Sequence, residues 1–292
     1  MADPIQFLGA EPEPGDQARA RYAILPLPYG KTVSYQRGTE RGPAALLTAS
    51  QNLETYDEDL GFEPCRAGIW TAPALALEAL APGAVQERVR ARAEALLEAG
   101  KFLIGVGGEH SLTPPLVAAH RERYPDLSVL SVDAHADLRE TYEGSAHNHA
   151  CAAARMREHA PVVLAGVRSL SAPEAERITR EQVPTFWARD IVRGRVTPAD
   201  VIRPLSAQVY VTLDLDGLDP AIMPATGTPE PGGLGWFDLL DLLDLVVRER
   251  TVVGFDLMEL MPLPGNAAPD FLAARLLYKF IGLLERQRGS CE

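Results

Sequence analysis

The sequence predicts an α/β fold, a central parallel sheet flanked by helices. Short β-branched or aliphatic runs alternate along the chain with longer amphipathic stretches, the order that strand-helix-strand units produce. Three of the apolar runs stop abruptly at charged residues, as strands do when their carboxyl ends form a binding face. With 292 residues, 46% of them hydrophobic, the chain can bury a large core, and one domain over residues 1–292 is expected.

Strands are expected at residues 22–25, 102–106, 128–131, 162–165, 209–213 and 252–257, where the apolar runs are short and β-branched. Helices are expected at 84–97, 115–123, 150–159, 172–180, 237–250 and 269–284. In the fifth of these, Leu239, Leu240, Leu243, Val246 and Val247 recur at helical spacing, predicting a core face with Asp238, Asp241 and Asp244 toward water. Two segments, 26–43 and 219–235, are rich in turn residues. The second carries Pro220, Pro224, Pro229 and Pro231 beside four glycines and directly follows a carboxylate cluster, which predicts an ordered loop walling a site.

Forty acidic against 28 basic residues give a formal charge of −12, which disfavours nucleic acid and anionic lipid as partners and favours cations. The same acidity serves solubility in many proteins. No run reaches the roughly 18 apolar residues of a membrane span, and the acidic, Pro-rich start has no signal-peptide pattern. Cys65, Cys151 and Cys291 form no C-x-x-C pair, so no disulfide framework is expected and a cytoplasmic location is.

The chemistry gathers at three strand ends: GGEHS at 107–111, DAHAD at 133–137 and DLD at 214–216. Side chains two apart on an extended segment share a side, which would group Asp133, His135 and Asp137, and likewise Asp214 and Asp216. Gly107 and Gly108 allow a sharp turn before His110. Four crowded carboxylates would raise one another's pKa unless cations neutralised them. Their charge matches two divalent ions, with neutral His110 and His135 completing the set His110, Asp133, His135, Asp137, Asp214 and Asp216. Carboxylate with imidazole suits Mn²⁺ over thiolate-preferring Zn²⁺, although affinity order favours Zn²⁺; two Mn²⁺ per subunit are expected. Two such ions acidify a shared water, which points to hydrolysis. A single D-x-H or D-x-D would more often be a turn or surface pair; three together point to a site. Of the remaining histidines, His147 and His149 follow the cluster, whereas His120 and His159 fall on expected helices and read as solvated or packed.

In this order, these motifs resemble the ureohydrolase family, which includes arginases, agmatinases, guanidinobutyrases and formiminoglutamases. PATGTP at 224–229 and GGL at 232–234 extend the match over nearly the whole chain. The resemblance implies a three-layer α/β/α sandwich with a central, mainly parallel eight-stranded sheet and a binuclear Mn²⁺ site. In that site His110 and Asp137 would be terminal ligands of one ion, His135 and Asp216 those of the other, with Asp133 and Asp214 bridging. A bridging hydroxide would attack a guanidinium carbon, releasing urea and an amine, with Asp137 as proton shuttle. His149 resembles the family's proton-relaying histidine, with His147 as its rival because His147-Asn148-His149 replaces the usual His-Gly pair. Glu259 resembles the carboxylate that binds the guanidinium, and its place after the strand at 252–257 would let it pair bidentately with a planar cation. Glu109 stands where many relatives have Asp.

Within the family, LPYG at 27–30, RGT at 37–39, Gly42-Pro43 and the Ala49-Ser50 closing the next helix resemble the agmatinase branch. The stretch 138–146 has no clear counterpart of the carboxylate-holding loop of arginases. The resemblance therefore implies a small cationic guanidino substrate, agmatine giving putrescine and urea, and a homo-oligomer, trimer or hexamer. Agmatine is cationic at both ends and would suit an acidic mouth, with Glu143 near its tail. Guanidinobutyrase or arginase activity, a one-metal deacylase and a silent polyamine-binding relative are the alternatives.

Overall fold

Three apolar residues suffice for an edge strand and six to eight for a central one, and the sheet is built on that contrast. The computed structural model describes residues 5–9 and 17–289, so most of the acidic start and Cys291 lie outside it. Its strands are β1 (Tyr22–Leu27), β2 (Ile69–Thr71), β3 (Phe102–Gly107), β4 (Leu127–Val132), β5 (Val162–Val167), β6 (Thr185–Trp187), β7 (Gln208–Asp214) and β8 (Thr251–Met258). They form one eight-stranded sheet in the order β2-β1-β3-β8-β7-β4-β5-β6, with every pairing parallel. The six expected strands are all present. The two that sequence periodicity missed, β2 and β6, are the edges, too short to show alternation.

The helices are α1 (Gly42–Ser50), α2 (Pro82–Glu98), α3 (Thr113–Arg123), α4 (Ala152–Met156), α5 (Ala172–Glu181), α6 (Ala188–Val192), α7 (Pro198–Ile202), α8 (Trp236–Glu249) and α9 (Ala268–Gln287). The helix expected at 150–159 is corrected: a one-turn 3-10 helix, His149–Cys151, precedes the short α4. Asn148 caps that turn by accepting the Ala150 N–H at 3.0 Å, while the Ala154 N–H is taken by the Asp137 carbonyl at 3.0 Å instead of a helical partner.

Side chains alternate across the sheet into two cores, which makes three layers. Tyr22, Ile24, Ile104, Leu130 and Val211 pack with α1, α8 and α9 on one face. Ala23, Leu25, Leu103, Val129 and Tyr210 pack with α2, α3 and α4 on the other. Covering both faces is what turns parallel strands into near-continuous apolar runs. On α8 the buried stripe runs through Leu239, Leu242, Leu243, Val246 and Val247, with Leu240 only partly buried. Asp241 is exposed as expected, but Asp238 accepts the Gly235 N–H at 2.9 Å and Asp244 pairs with Arg248 at 3.2 Å. His120 is a packed residue: its Nδ1 meets the Leu116 carbonyl at 2.7 Å, and burial lowers its pKa to about 4. Among the described residues, no helix is long and apolar enough to cross a membrane.

The sheet order matters most for the site. Strands β3, β8, β7 and β4 are consecutive neighbours, so their carboxyl ends lie side by side at the centre of one edge. Phe255 in β8 is fully buried against Phe280 of α9, ring centroids 4.3 Å apart, and ties these strands to the outer layer. Phe255→Ala is expected to lower unfolding free energy by about 3–5 kcal/mol in a denaturant titration; a loss below about 1 kcal/mol would contradict this packing.

Candidate functional site

The chain leaves β3 through a position, Gly108, that is packed against backbone and has no room for a side chain. A Cβ on Gly107 would collide with the Met258 sulfur, and one on Gly108 with the Tyr29 carbonyl. The chain then presents Glu109, whose N–H donates to the Tyr29 carbonyl at 2.9 Å, and enters the 3-10 turn His110–Leu112. Beyond β4, Asp133, His135 and Asp137 follow on irregular backbone, and Asp137 sits at φ 49°, the left-handed region costly for a residue with a Cβ. Asp214 ends β7, and the 3-10 turn Leu215–Gly217 brings round Asp216, whose N–H donates to Asp214 Oδ1 at 2.9 Å. Glu259 follows β8 at φ 66°, its N–H donating to the Gly108 carbonyl at 2.7 Å. The plain extended geometry inferred from i, i+2, i+4 spacing is thus corrected: a left-handed residue and a 3-10 turn do the gathering.

All six expected ligands meet at one point. His110 Nδ1 lies 3.1 Å from Asp133 Oδ2, 3.4 Å from Asp137 Oδ2 and 3.3 Å from Asp214 Oδ2, and forms a hydrogen bond with none of them. His135 Nδ1 lies 3.0 Å from Asp216 Oδ2 and 3.6 Å from Asp133 Oδ1. Two groups can each hold an ion, His110-Asp133-Asp137 and Asp133-His135-Asp216, and Asp133 belongs to both. A one-metal deacylase needs only one such group.

The orientation of His110 is set from behind. Its Nε2 lies 2.9 Å from Thr212 Oγ1, and the Thr212 hydroxyl donates to Asp256 Oδ1 at 2.5 Å, while Tyr210 donates to the other Asp256 oxygen at 2.7 Å. With its only proton given to Asp256, Thr212 can only accept from His110. Nε2 therefore carries the hydrogen and the Nδ1 lone pair faces the carboxylates, as a ligand requires.

Electrostatics describe a cluster short of positive charge. Burial pushes Asp137 up to about 7, with the Asp133 charge adding to it, and burial likewise raises Asp214 and Glu259 well above the usual carboxylate range. Burial would lower His110 and His135, yet the surrounding carboxylates outweigh it and raise both. Burial would raise Asp133, but His110 and His135 beside it hold it low. Raised acids and raised imidazoles report one deficit from two sides. Oxygen and nitrogen donors, a buried ring nitrogen without a partner and an excess of carboxylates fit a pair of divalent cations.

His110, His135, Asp137, Asp214, Asp216 and Glu259 line a narrow cleft. One wall is the loop at 219–235, as expected, through Gly227 and Thr228. Asp219 holds that loop by accepting the N–H groups of Gly232 and Gly233 at 2.8 and 3.0 Å, and Arg168 staples it to the cluster through the carbonyls of Glu230 and Asp216 at 2.7 and 2.6 Å. The opposite wall, Val33, Ser34, Tyr35 and Gln36, comes from the other turn-rich segment, which carried no site expectation. The cleft continues into a chamber of about 230 Å³ bordered by His149, Tyr142, Arg139 and Ser169.

The structure brings His149 to both cleft and chamber and leaves it neutral, burial lowering its pKa to about 4. His147 is exposed and borders neither. Glu143 is not brought to the site: it is exposed at the tip of a turn closed by the Tyr142–Ser145 bridge, so its expected contact with a substrate tail is corrected. Thr32, Ser34, Arg168, Thr212 and Asp256 had drawn no notice in the sequence. For Thr212 and Asp256 a signal existed, a polar residue inside an apolar strand.

With this geometry in place, the comparisons with known proteins are consistent in kind. A family model described as Arginase family matches residues 20–282. The chain is 40% identical to the N(1)-aminopropylagmatine ureohydrolase of Synechocystis sp., over 96% of this chain and 94% of that protein. It is 34% identical to the agmatinase of Pyrococcus horikoshii, over 91% and 93%. In fold it is similar to the agmatine ureohydrolase of Thermoplasma volcanium, with a TM-score of 0.85, 32% identity and coverage of 94% and 93%.

The charge deficit has a measurable consequence for the metal-free protein. Asp137, with its folded pKa raised, stabilises the fold below its unfolded pKa of about 4 and loses that contribution as pH rises through about 7. Raised His110 and His135 act in the same sense above about 6.5, while the depressed Asp133 loses its contribution only below about 4, outside this window. His120 and His149, both lowered to about 4, oppose this trend between about 4 and 6.5 and are neutral in folded and unfolded chain above it. Chelator-treated protein should therefore melt at a lower temperature at pH 8 than at pH 6.5, and added Mn²⁺ should reverse the trend; a metal-free melting temperature that rises over this range would contradict the assignment.

Proposed function

We propose that this chain, which belongs to the arginase family, hydrolyses the guanidino group of a polyamine-type substrate, N(1)-aminopropylagmatine ahead of agmatine. Urea and the corresponding amine are the products. The observation that carries this reading is Glu259, a buried carboxylate set beside the two ligand groups with its Oε1 accepting the His110 N–H at 2.7 Å. A planar guanidinium paired with Glu259 satisfies that carboxylate and brings its carbon to the cluster.

The roles follow from position. His110 and Asp137 would hold one ion, His135 and Asp216 the other, and Asp133 and Asp214 both. When bound, two divalent cations, Mn²⁺ in this reading, supply Lewis acidity and a water acidified into a nucleophile. Asp137 is raised by burial and can carry a proton to the nitrogen that leaves with the alkyl chain. His149, neutral and bordering both spaces, passes protons between cleft and chamber. The walls at 33–36 and 227–228 limit water at the reacting carbon.

The substrate tail decides between the two named activities. The relative sharing 40% of its residues is named for N(1)-aminopropylagmatine, and the agmatinase shares 34%. The chamber of about 230 Å³ next to the cleft gives room for a chain longer than agmatine's. Agmatine, the substrate expected from sequence, stays as the shorter alternative within this reading.

Urea release from N(1)-aminopropylagmatine, agmatine, arginine and guanidinobutyrate by Mn²⁺-loaded protein tests the reading. The first should exceed the second in kcat/KM by about tenfold or more, a difference of about 1.4 kcal/mol. Preference for agmatine would shorten the substrate, and turnover of arginine or guanidinobutyrate alone would sink the polyamine assignment. Glu259→Gln, which cannot form a charged pair, should lower kcat/KM by roughly a hundredfold; wild-type turnover in that variant would remove Glu259 from guanidinium binding.

A further inference from the structure

We propose that Thr32 and Glu109 are positioning residues that fix His149 in its Nδ1–H tautomer and turn Nε2 toward the cleft as the proton acceptor. The kinetic consequence rests on the amidinohydrolase reading above; the tautomer assignment does not.

The chain of hydrogen bonds has one polarity. Glu109 is fully buried and its carboxylate is an acceptor only, taking the Thr32 N–H at 2.6 Å, the Thr32 hydroxyl at 2.6 Å and the Ser111 hydroxyl at 2.5 Å. A Thr hydroxyl has one proton and two lone pairs. Thr32 gives that proton to Glu109, so both lone pairs are left for donors on the other side. His149 supplies them: its backbone N–H donates to Thr32 Oγ1 at 3.0 Å, and its ring Nδ1 lies 3.4 Å from the same oxygen. A ring nitrogen facing an oxygen that cannot donate must carry the hydrogen itself. Nε2 then keeps its lone pair, with Ser34 Oγ at 3.4 Å. Ser34 borders both cleft and chamber, so Nε2 is the nitrogen on the open side.

The same bonds hold a wall of the site. Thr32 begins the segment whose next residues, Val33 to Gln36, face the ligand cluster, and the Gln36 N–H donates to the Gly227 carbonyl at 3.4 Å to join the two walls. Glu109 thus ties the turn that presents His110 to the segment that orients His149. The length of the carboxylate side chain at position 109 is used in full, since both its oxygens reach Thr32 while its backbone N–H stays on Tyr29 at 2.9 Å.

The test uses Thr32→Val, which keeps the shape and removes the hydroxyl, and Thr32→Ser, which restores it. Long-range ¹H–¹⁵N spectra of His-labelled protein loaded with diamagnetic Zn²⁺, with the His149 signal identified by its loss in His149→Asn, report the tautomer directly. Wild type and Thr32→Ser should carry the proton on Nδ1, and Thr32→Val should lose that preference. In the Mn²⁺-loaded enzyme Thr32→Val should lower kcat by about 10- to 100-fold with KM within about threefold, and Thr32→Ser should recover most of it. An Nε2–H tautomer in wild type, an unchanged tautomer or kcat in Thr32→Val, or a Thr32→Ser variant as impaired as Thr32→Val would overturn the proposal. If wild type releases urea from no guanidino compound, the preceding reading fails, and the spectra still decide this one.

Discussion

Four carboxylates buried within hydrogen-bonding distance of two imidazoles cannot all stay ionised unless something supplies positive charge, and the centre of this protein is organised around that constraint. Asp133, Asp137, Asp214 and Asp216 are all buried, and the pKa shifts around them point to the same deficit. Protons relieve it in metal-free protein. Divalent cations would relieve it in a way that also makes chemistry available, because Lewis acids held by these side chains would acidify a water.

The backbone bears the cost of this arrangement in identifiable places. Asp137 and Glu259 adopt left-handed backbone, Gly108 accepts a backbone approach that no side chain could survive, and Arg168 commits its donors to carbonyls of the cluster and the walling loop. Rigid elements lie behind each ligand. His110 is aimed by Thr212 and Asp256 on neighbouring strands, and Asp216 by the Asp214 carboxylate that receives its N–H. Parallel pairing of β3, β8, β7 and β4 makes the site a property of the sheet, since all four ends emerge at the same level.

Much of this was legible in sequence because the signals were local. Strand ends with DAHAD or GGEHS announce themselves by the switch from apolar to metal-competent residues, and charge matching then gives the number of ions to expect. What sequence could not carry was the path of chain between motifs. Glu143 and His147 lie close to the cluster in sequence, yet Glu143 sits at the tip of the turn closed at Tyr142 and Ser145, and both side chains are exposed. Thr32 is 77 residues from Glu109 and 117 from His149, and only folding reveals the contact. The edge strands and the helix ending at Met156 were misjudged because three to five residues show no periodicity.

We propose that the cluster holds two cations, each bound by its own imidazole and sharing the Asp133 carboxylate. Crystals grown with Mn²⁺ and measured at its absorption edge test it most directly. Two anomalous peaks per chain are predicted, one against His110 and Asp137 and the other against His135 and Asp216. A single peak, or peaks elsewhere with these six side chains unliganded, would rule out the two-cation cluster.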